Sequence, residues 1–450
     1  MSDTSSAAPN PFHPAYAVLC LVFALFVLRL LIGNPAPRRP ERVSAIDGLR
    51  GYLAFFVFLH HSAFWYAYVK TKSWPVPDSH LFAHFGQSSV LLFFMITGFL
   101  FFSKIRANQS APIDWLRLFV SRVLRLTPLY WVAVAIVVAI VGFETHFVLQ
   151  EQPSKLARDA LHWLVFCAFD SPPLNGFGPT WLITAGVTWT LRYEWLFYLA
   201  LPLIGSAVSP RRYVIFSAIA VSAFLLNSPF RTTIVAFAFG SGMFAALCAE
   251  QPKLRKVSRT RFGSAFVLAS LVFTVVHFPV AYLQATEFPT AEEFYVLGLV
   301  TLAFVAIASG NTLFGALSHP LSRRLGDLSY GIYLLQGIVL YVCFRFVVGY
   351  SRAATLPAAW FWCVIAACGG MLVVLSLLSF HFVEAPALRL VDRVTRGLRS
   401  LGKATAARAI QVSERRFFAK EGLKASSEGA PRSPLTRNRS ADAPAPRPGR

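Results

Sequence analysis

Apolar stretches of about twenty residues recur along almost the whole chain, and this recurrence limits the fold more than any other feature. A run of that length crosses the roughly 30 Å hydrocarbon core of a bilayer as one helix. A helix also satisfies its own backbone polar groups, as a spanning segment must. The first run covers residues 15–33, with Arg29 inside it. Ten more follow at 47–68, 86–103, 128–143, 189–207, 212–227, 231–249, 263–282, 294–310, 328–348 and 358–382. Only 14% of the residues are charged and 56% are hydrophobic, whereas a soluble domain carries about 25% charged residues. The expected fold is all-α: a polytopic helical membrane protein with about ten core transmembrane helices and one extra N-terminal helix. No basic segment precedes the first run and no small-residue cleavage site follows it, so it reads as an anchor rather than a cleaved signal.

Three segments are expected: 1–43 with the extra helix, 44–390 as the membrane domain, and 391–450 as a basic, disordered, cytoplasmic tail rich in Ser, Pro and Ala. The net charge of +21 acquires meaning from its location. With alternating spans, the loops of one side hold nearly three times as many Lys and Arg residues as those of the other, and the tail falls on the richer side. That side, with the C-terminus, is expected to be cytoplasmic. No nucleic-acid motif accompanies the charge, so the expected partner of the basic residues is the lipid surface. The six cysteines lie in or beside apolar runs without metal-ligand spacing and read as buried free thiols; no metal site is expected. Residues 144–188 do not fit a single span without inverting every later loop. They are expected outside, as an interfacial or re-entrant helix followed by an ordered Pro/Gly-rich loop that acts as a lid or an acceptor-binding wall.

The polar residues inside the apolar runs carry the functional signal. Arg50 and His61 stand eleven positions apart in Ile46-Asp-Gly-Leu-Arg-Gly-Tyr-Leu-Ala-Phe-Phe-Val-Phe-Leu-His-His61. Eleven helical positions make three turns plus about 20°, so the two side chains share one face, about 16 Å apart along the axis. His60 points about 100° away, so one histidine of the two is expected to face the pocket. Histidine suits proton acceptance near neutral pH; a hydrogen-bonded structural histidine with a snorkelling arginine is the other reading. Arg122 and Arg125, at i and i+3 ahead of Pro128, form a paired cationic face. Such a face fits a phosphate-rich ligand; taken alone it reads as ordinary anchoring on lipid phosphates. Pro128 is expected to end or restart the helix. Glu194 lies in Trp189-Thr-Leu-Arg-Tyr-Glu-Trp. A carboxylate there needs a partner, which Arg192, a histidine or a substrate hydroxyl would provide. Thr97-Gly98 reads as a close helix contact, and Glu384 as an interfacial ion-pair partner.

Together these pieces resemble the family-3 membrane acyltransferases, the bacterial group that O-acylates surface polysaccharides and related glycans. The resemblance runs in order through six elements. They are Asp47-Gly-Leu-Arg50 with His61; Phe93-Phe-Met-Ile-Thr-Gly-Phe-Leu100; Arg122 and Arg125 before Pro128 and Tyr130; Trp189 to Pro202; Leu325 to Leu334; and Phe382-Val-Glu-Ala-Pro386. Thr97 stands where the family has serine, and Gln336 where many relatives have histidine, so no proton transfer is expected of Gln336. Many relatives also carry a C-terminal hydrolase-like domain, which is not expected here.

The resemblance implies an integral-membrane O-acyltransferase of the bacterial inner membrane. It would move an acyl group, with acetyl favoured, from cytoplasmic acyl-CoA to a hydroxyl of a cell-envelope or exported glycan. Acyl-CoA would be a co-substrate, with no bound cofactor. Arg122 and Arg125 would hold its phosphates, and Arg50 would admit or orient the thioester. His61 would act as general base or transient acyl acceptor, and Glu194 would orient the histidine or bind the sugar. A transporter of lipid-linked sugars or organic acids is the alternative, since membrane His, Arg and Glu residues also couple protons to transport.

Overall fold

A computed structural model describes residues 10–33, 44–107, 113–167, 171–206, 209–227, 232–278, 290–405, 408 and 411. Arg38, Arg39 and Arg42, residues 283–289 and the tail past 411 lie outside the described residues. The structure is 83% helical, without strands among the described residues. The helices are α1 (Pro14–Ile32), α2 (Ser44–Thr71), α3 (His80–Ala107), α4 (Trp115–Glu144), α5 (Pro153–Leu164), α6 (Thr180–Ile183), α7 (Trp189–Ile204), α8 (Arg211–Asn227) and α9 (Thr232–Glu250). They continue with α10 (Pro252–Ser258), α11 (Arg261–His277), α12 (Ala291–Ala308), α13 (Pro320–Asp327), α14 (Ser329–Val342), α15 (Tyr350–Thr355), α16 (Ala358–Ser379) and α17 (Ala385–Arg389). The chain forms two compact units, Met1–Val391 and Asp392–Arg450. In the second unit residues 392–405 are helical.

Each of the expected spans coincides with a helix, and the molecule is an all-α, multi-pass membrane protein. Seven described helices are long and apolar enough to cross a bilayer, and α10 with α11, bent by 78°, would make an eighth. The rest fall short for physical reasons. α2 has 28 residues but carries Asp47, Arg50, His60 and His61. α7 and α8 have 16 and 17 residues, under the length that usually spans. Pro128 does not break α4, which runs 30 residues through it. The proline takes the helical donor from the Leu124 carbonyl; two residues on, the Tyr330 hydroxyl donates to the Leu126 carbonyl at 2.7 Å and ties α14 to this turn. Arg122 and Arg125 therefore lie in the same unbroken helix as the span that follows Pro128.

α2 is the central element, packed against α3, α13 and α14. Its N-terminal end is held by backbone-to-backbone contact. A Cβ on Gly48 would collide with the Leu317 carbonyl, one on Gly51 with the Leu325–Gly326 backbone, and one on Gly326 with the Asp47 carbonyl. The Tyr52 hydroxyl and Ser322 Oγ, 2.8 Å apart, extend this seam. The glycines of Asp-Gly-Leu-Arg-Gly are thus what lets Arg50 sit close to the 317–327 segment. Gly48→Ala should destabilise the protein by roughly 1–3 kcal/mol, because the obstacle is backbone. Gly298→Ala in α12, where a Cβ meets open space, should be neutral or stabilising by up to about 1 kcal/mol. Thermal unfolding in detergent compares the two; equal melting temperatures would refute the seam.

Gly98 rests on the Phe239 backbone and Gly242 on the Met95 backbone, so α3 and α9 cross closely as Thr97-Gly98 suggested. α1 lays its buried Ala17, Cys20, Ala24 and Leu28 face on α16. Tyr16 stacks on Trp362 at 5.8 Å, and the Trp362 indole donates to the Pro11 carbonyl at 2.6 Å. Arg345, inside an apolar run, is neutralised by Glu144 through hydrogen bonds of 2.7 and 2.9 Å, which tie the end of α4 to the turn after α14. Of the cysteines, Cys20, Cys167 and Cys368 are buried, whereas Cys363 is exposed, in departure from the expectation for all six.

Residues 144–188 contain the 12-residue α5, the short α6 and an ordered loop, with no long span among their described residues. The loop is held by its own polar groups. The Asn175 amide donates to the Val148 carbonyl at 2.8 Å and accepts from the Gln150 amide at 2.9 Å. The Trp163 indole donates to the Pro172 carbonyl at 2.9 Å. Its Thr184–Ala185 backbone packs on α14 at Gly337, where a Cβ would not fit.

Candidate active site

Two cavities lie beside α2. The larger, about 410 Å³, is lined by Arg50, Arg122, Arg125, Glu194, Thr97 and Tyr198 among others. The smaller, about 240 Å³, is lined by His60, His61, Gln87, Trp74, Trp181 and Trp189 among others. Val90 of α3 and Tyr333 of α14 line both. The 28-residue α2 thus presents Arg50 to one cavity and His61 to the next, as the eleven-residue spacing on one face requires.

His61 Nδ1 lies 3.0 Å from the Val57 carbonyl, one turn earlier. A carbonyl only accepts, so Nδ1 carries the proton and Nε2 keeps its lone pair. The side chain of Gln336 is fully buried, and its Oε1 has no hydrogen-bond partner among the described residues. Its amide nitrogen donates to the Tyr333 carbonyl at 3.0 Å. An amide in this place exchanges no proton. His60 also touches the smaller cavity, so both histidines reach it, contrary to the expectation from their 100° separation. Its role differs from that of His61. Nδ1 of His60 bonds the Phe82 carbonyl at 2.8 Å, and the ring fills the space left by Gly86. It is a strut between α2 and α3.

Glu194 is not brought to His61. It lines the larger cavity, where the Tyr198 hydroxyl donates to it from the next turn of α7. Orientation of the histidine by Glu194 is therefore absent in this structure, and the carboxylate faces the arginines instead. The Arg122 guanidinium lies over the rings of Phe101, at 5.3 Å, and Tyr198, at 5.9 Å. Arg125 pairs at 3.6 Å with Glu384, whose side chain is fully buried. Glu384 is thus a core partner, not an interfacial one. A π-helical turn, Phe380–Glu384, ends the preceding helix and re-aims it. Arg50 has no carboxylate within ion-pair distance among the described residues; Asp47, Glu194 and Arg125 are the charges around it.

The 171–188 loop supplies Trp181 and Ala185 to Val187 to the smaller cavity. Trp74 stands edge-on to Trp181 at 5.4 Å and stacks on Phe64 at 5.1 Å. Cys167, below this loop, is no candidate nucleophile, because burial pushes its thiol up. Tyr198, Tyr333, Val90 and Trp74 were not singled out from the sequence. Tyr333 sits in the Leu325 to Leu334 element and was the one within reach, had each polar member of that element been asked for a partner.

The family model for this acyltransferase domain matches residues 43–379, which hold the smaller cavity and all of the larger one's lining except Phe380 and Leu388. The chain belongs to acyltransferase family 3. It is an acyltransferase, and the match begins one residue before α2. Among curated relatives, the chain is 26% identical over 337 residues to "Nodulation protein 10" of Rhizobium leguminosarum bv. viciae, covering 68% of this chain and 83% of that protein. It is 27% identical over 335 residues to "Exopolysaccharide production protein ExoZ" of Rhizobium meliloti strain 1021, covering 70% of this chain and 93% of that protein. No solved structure matches this acyltransferase.

Proposed function

We propose that the enzyme transfers an acyl group, acetyl in the simplest case, from acyl-CoA on the cytoplasmic side of a bacterial inner membrane to a hydroxyl of an exported or cell-envelope polysaccharide. The observation that carries this reading is His61. Its Nδ1–H is held by Val57, and Nε2 is left as an acceptor in an aromatic-walled cavity that adjoins a basic one. The basic cavity suits the phosphates of CoA, and indole faces suit the apolar face of a sugar ring. The relative named for exopolysaccharide production supports a glycan as acceptor. The excess of basic residues on one side supports a cytoplasmic C-terminus.

In the proposed reaction the acceptor O–H gives its proton to His61 Nε2, and its oxygen attacks the thioester carbonyl. The C–S bond breaks, and the CoA thiolate takes the proton from the imidazolium. Arg50, without a carboxylate partner among the described residues, faces the donor and steadies the negative charge that develops.

The test compares cell-surface glycans, by mass and proton NMR, from cells carrying the intact chain, a deletion or His61→Ala. A base-labile ester present only with the intact chain is expected. Identical glycans in all three would remove polysaccharide as the acceptor.

Arg122 and Arg125 now part company. Arg122 lies over two rings, whereas Arg125 is engaged by Glu384. Arg122→Ala should raise the KM for acyl-CoA by about 10–100-fold, the scale of one or two charge-assisted contacts, and change kcat by only a few-fold. An unchanged KM would return Arg122 to packing alone.

A further inference from the structure

The arginines line one cavity and His61 the other, and the lining they share is Val90 and Tyr333. The Phe93 ring, one turn from Val90 on α3, meets Tyr333 edge-on at 5.9 Å, so the Tyr333 ring lies against this face of α3. Its hydroxyl is fixed from the opposite direction. It lies 2.8 Å from Thr190 Oγ1 and donates to the Val187 carbonyl at 3.4 Å. Thr190 Oγ1 itself donates to the same carbonyl at 3.1 Å. Val187 belongs to the loop that walls the His61 cavity. The side chain dividing the two cavities is therefore latched to the loop on the acceptor side.

We infer that Tyr333 is a specificity-determining residue: it keeps the thioester apart from His61 until an acceptor occupies the smaller cavity, and so selects a glycan hydroxyl over water. The inference rests on the reading of the larger cavity as the donor site and of His61 as the base. The chemistry that needs suppression is simple. A water molecule in the smaller cavity would give its proton to His61 Nε2, and its oxygen would attack the thioester carbonyl. The C–S bond would break, and the CoA thiolate would take up the proton, leaving a free carboxylic acid. Nothing at His61 itself distinguishes this from transfer. The distinction must come from whether the thioester reaches the histidine, and Tyr333 with Val90 stands on that path. An acceptor that moves the 185–187 backbone releases the latch and lets the ring swing aside.

The test uses the full chain in lipid nanodiscs with acetyl-CoA alone, and reads free thiol and acetate. Wild type should release little of either without a glycan acceptor. Tyr333→Ala, which removes the divider, should raise acceptor-independent hydrolysis at least tenfold. Tyr333→Phe, which keeps the ring and loses the latch, should raise it to a smaller extent. Val90→Ala thins the opposite wall and serves if the tyrosine variant does not fold; it too should raise hydrolysis. His61→Ala placed on Tyr333→Ala should return hydrolysis to background. Hydrolysis at the wild-type level in both Tyr333→Phe and Val90→Ala, with His61 still essential, would overturn the inference alone. Hydrolysis that rises but survives His61→Ala would overturn the assignment of the base instead.

Discussion

Replacing His61 with alanine should lower acyl transfer by about 10²–10⁴-fold, the usual contribution of a positioned general base, and leave the fold intact. The structure supports both halves of that expectation. The His61 hydrogen bond to a carbonyl is to Val57 of its own helix, so its loss unties no two elements. The carbonyl left behind keeps its place in the helical ladder. His60→Ala makes the contrast. That ring bonds the Phe82 carbonyl of α3 and fills the space beside Gly86. Its removal opens a void between two central helices, and Leu-to-Ala-sized losses there cost about 2–5 kcal/mol. The adjacent histidines should therefore separate cleanly: His61→Ala inactive with a wild-type melting temperature, His60→Ala markedly less stable. Purified variants in nanodiscs, assayed for acceptor-dependent ester formation and thermal unfolding, give both readouts. Transfer by His61→Ala within tenfold of wild type would end its assignment as the base.

What could be read ahead of the structure follows helical geometry. The apolar runs locate the helices, because length and hydropathy are local properties. Arg50 and His61 fall on one face, because eleven residues nearly close three turns. The Thr97-Gly98 contact was legible for the same reason: a missing side chain in an apolar helix invites a neighbour. What escaped depends on other helices. Glu194 lies on α7 at a depth similar to that expected for His61, yet its own i+4 neighbour Tyr198 takes its carboxylate and turns it to the arginines. The 100° between His60 and His61 predicts that one of the two faces the pocket. A cavity wide enough to touch two adjacent rings defeats that argument. The division of the site by Tyr333 depends on α3, α7, α14 and a loop together, and no single periodicity carries it. Glu384 is the clearest case. One extra residue in a π-helical turn shifts every later side chain by about 100°, and a carboxylate expected at the surface becomes a core partner of Arg125.

That pair yields the second large effect. Arg125→Ala should destabilise the protein by about 3–5 kcal/mol, the scale of leaving a buried charge without its partner. Arg125 is the cation within ion-pair distance of Glu384 among the described residues, and the Glu384 side chain is sealed from solvent. The converse loss is expected to be milder. The Arg125 side chain is 16% exposed and borders the larger cavity, so without Glu384 its charge keeps access to water there. Glu384→Gln should therefore cost less than Arg125→Ala, and the double variant should recover more than half of the stability lost by Arg125→Ala. A double-mutant cycle in detergent isolates this coupling from the separate effects of each side chain. Activity should not follow stability in the cycle. If Arg125 also bears on the donor through the cavity it lines, the rescued double variant will fold and still transfer slowly, with a raised KM for acyl-CoA. Melting temperatures unchanged by Arg125→Ala would show that the ion pair carries no stability. The arginine would then be a donor-binding group, the role that the family resemblance implies for Arg122 and Arg125.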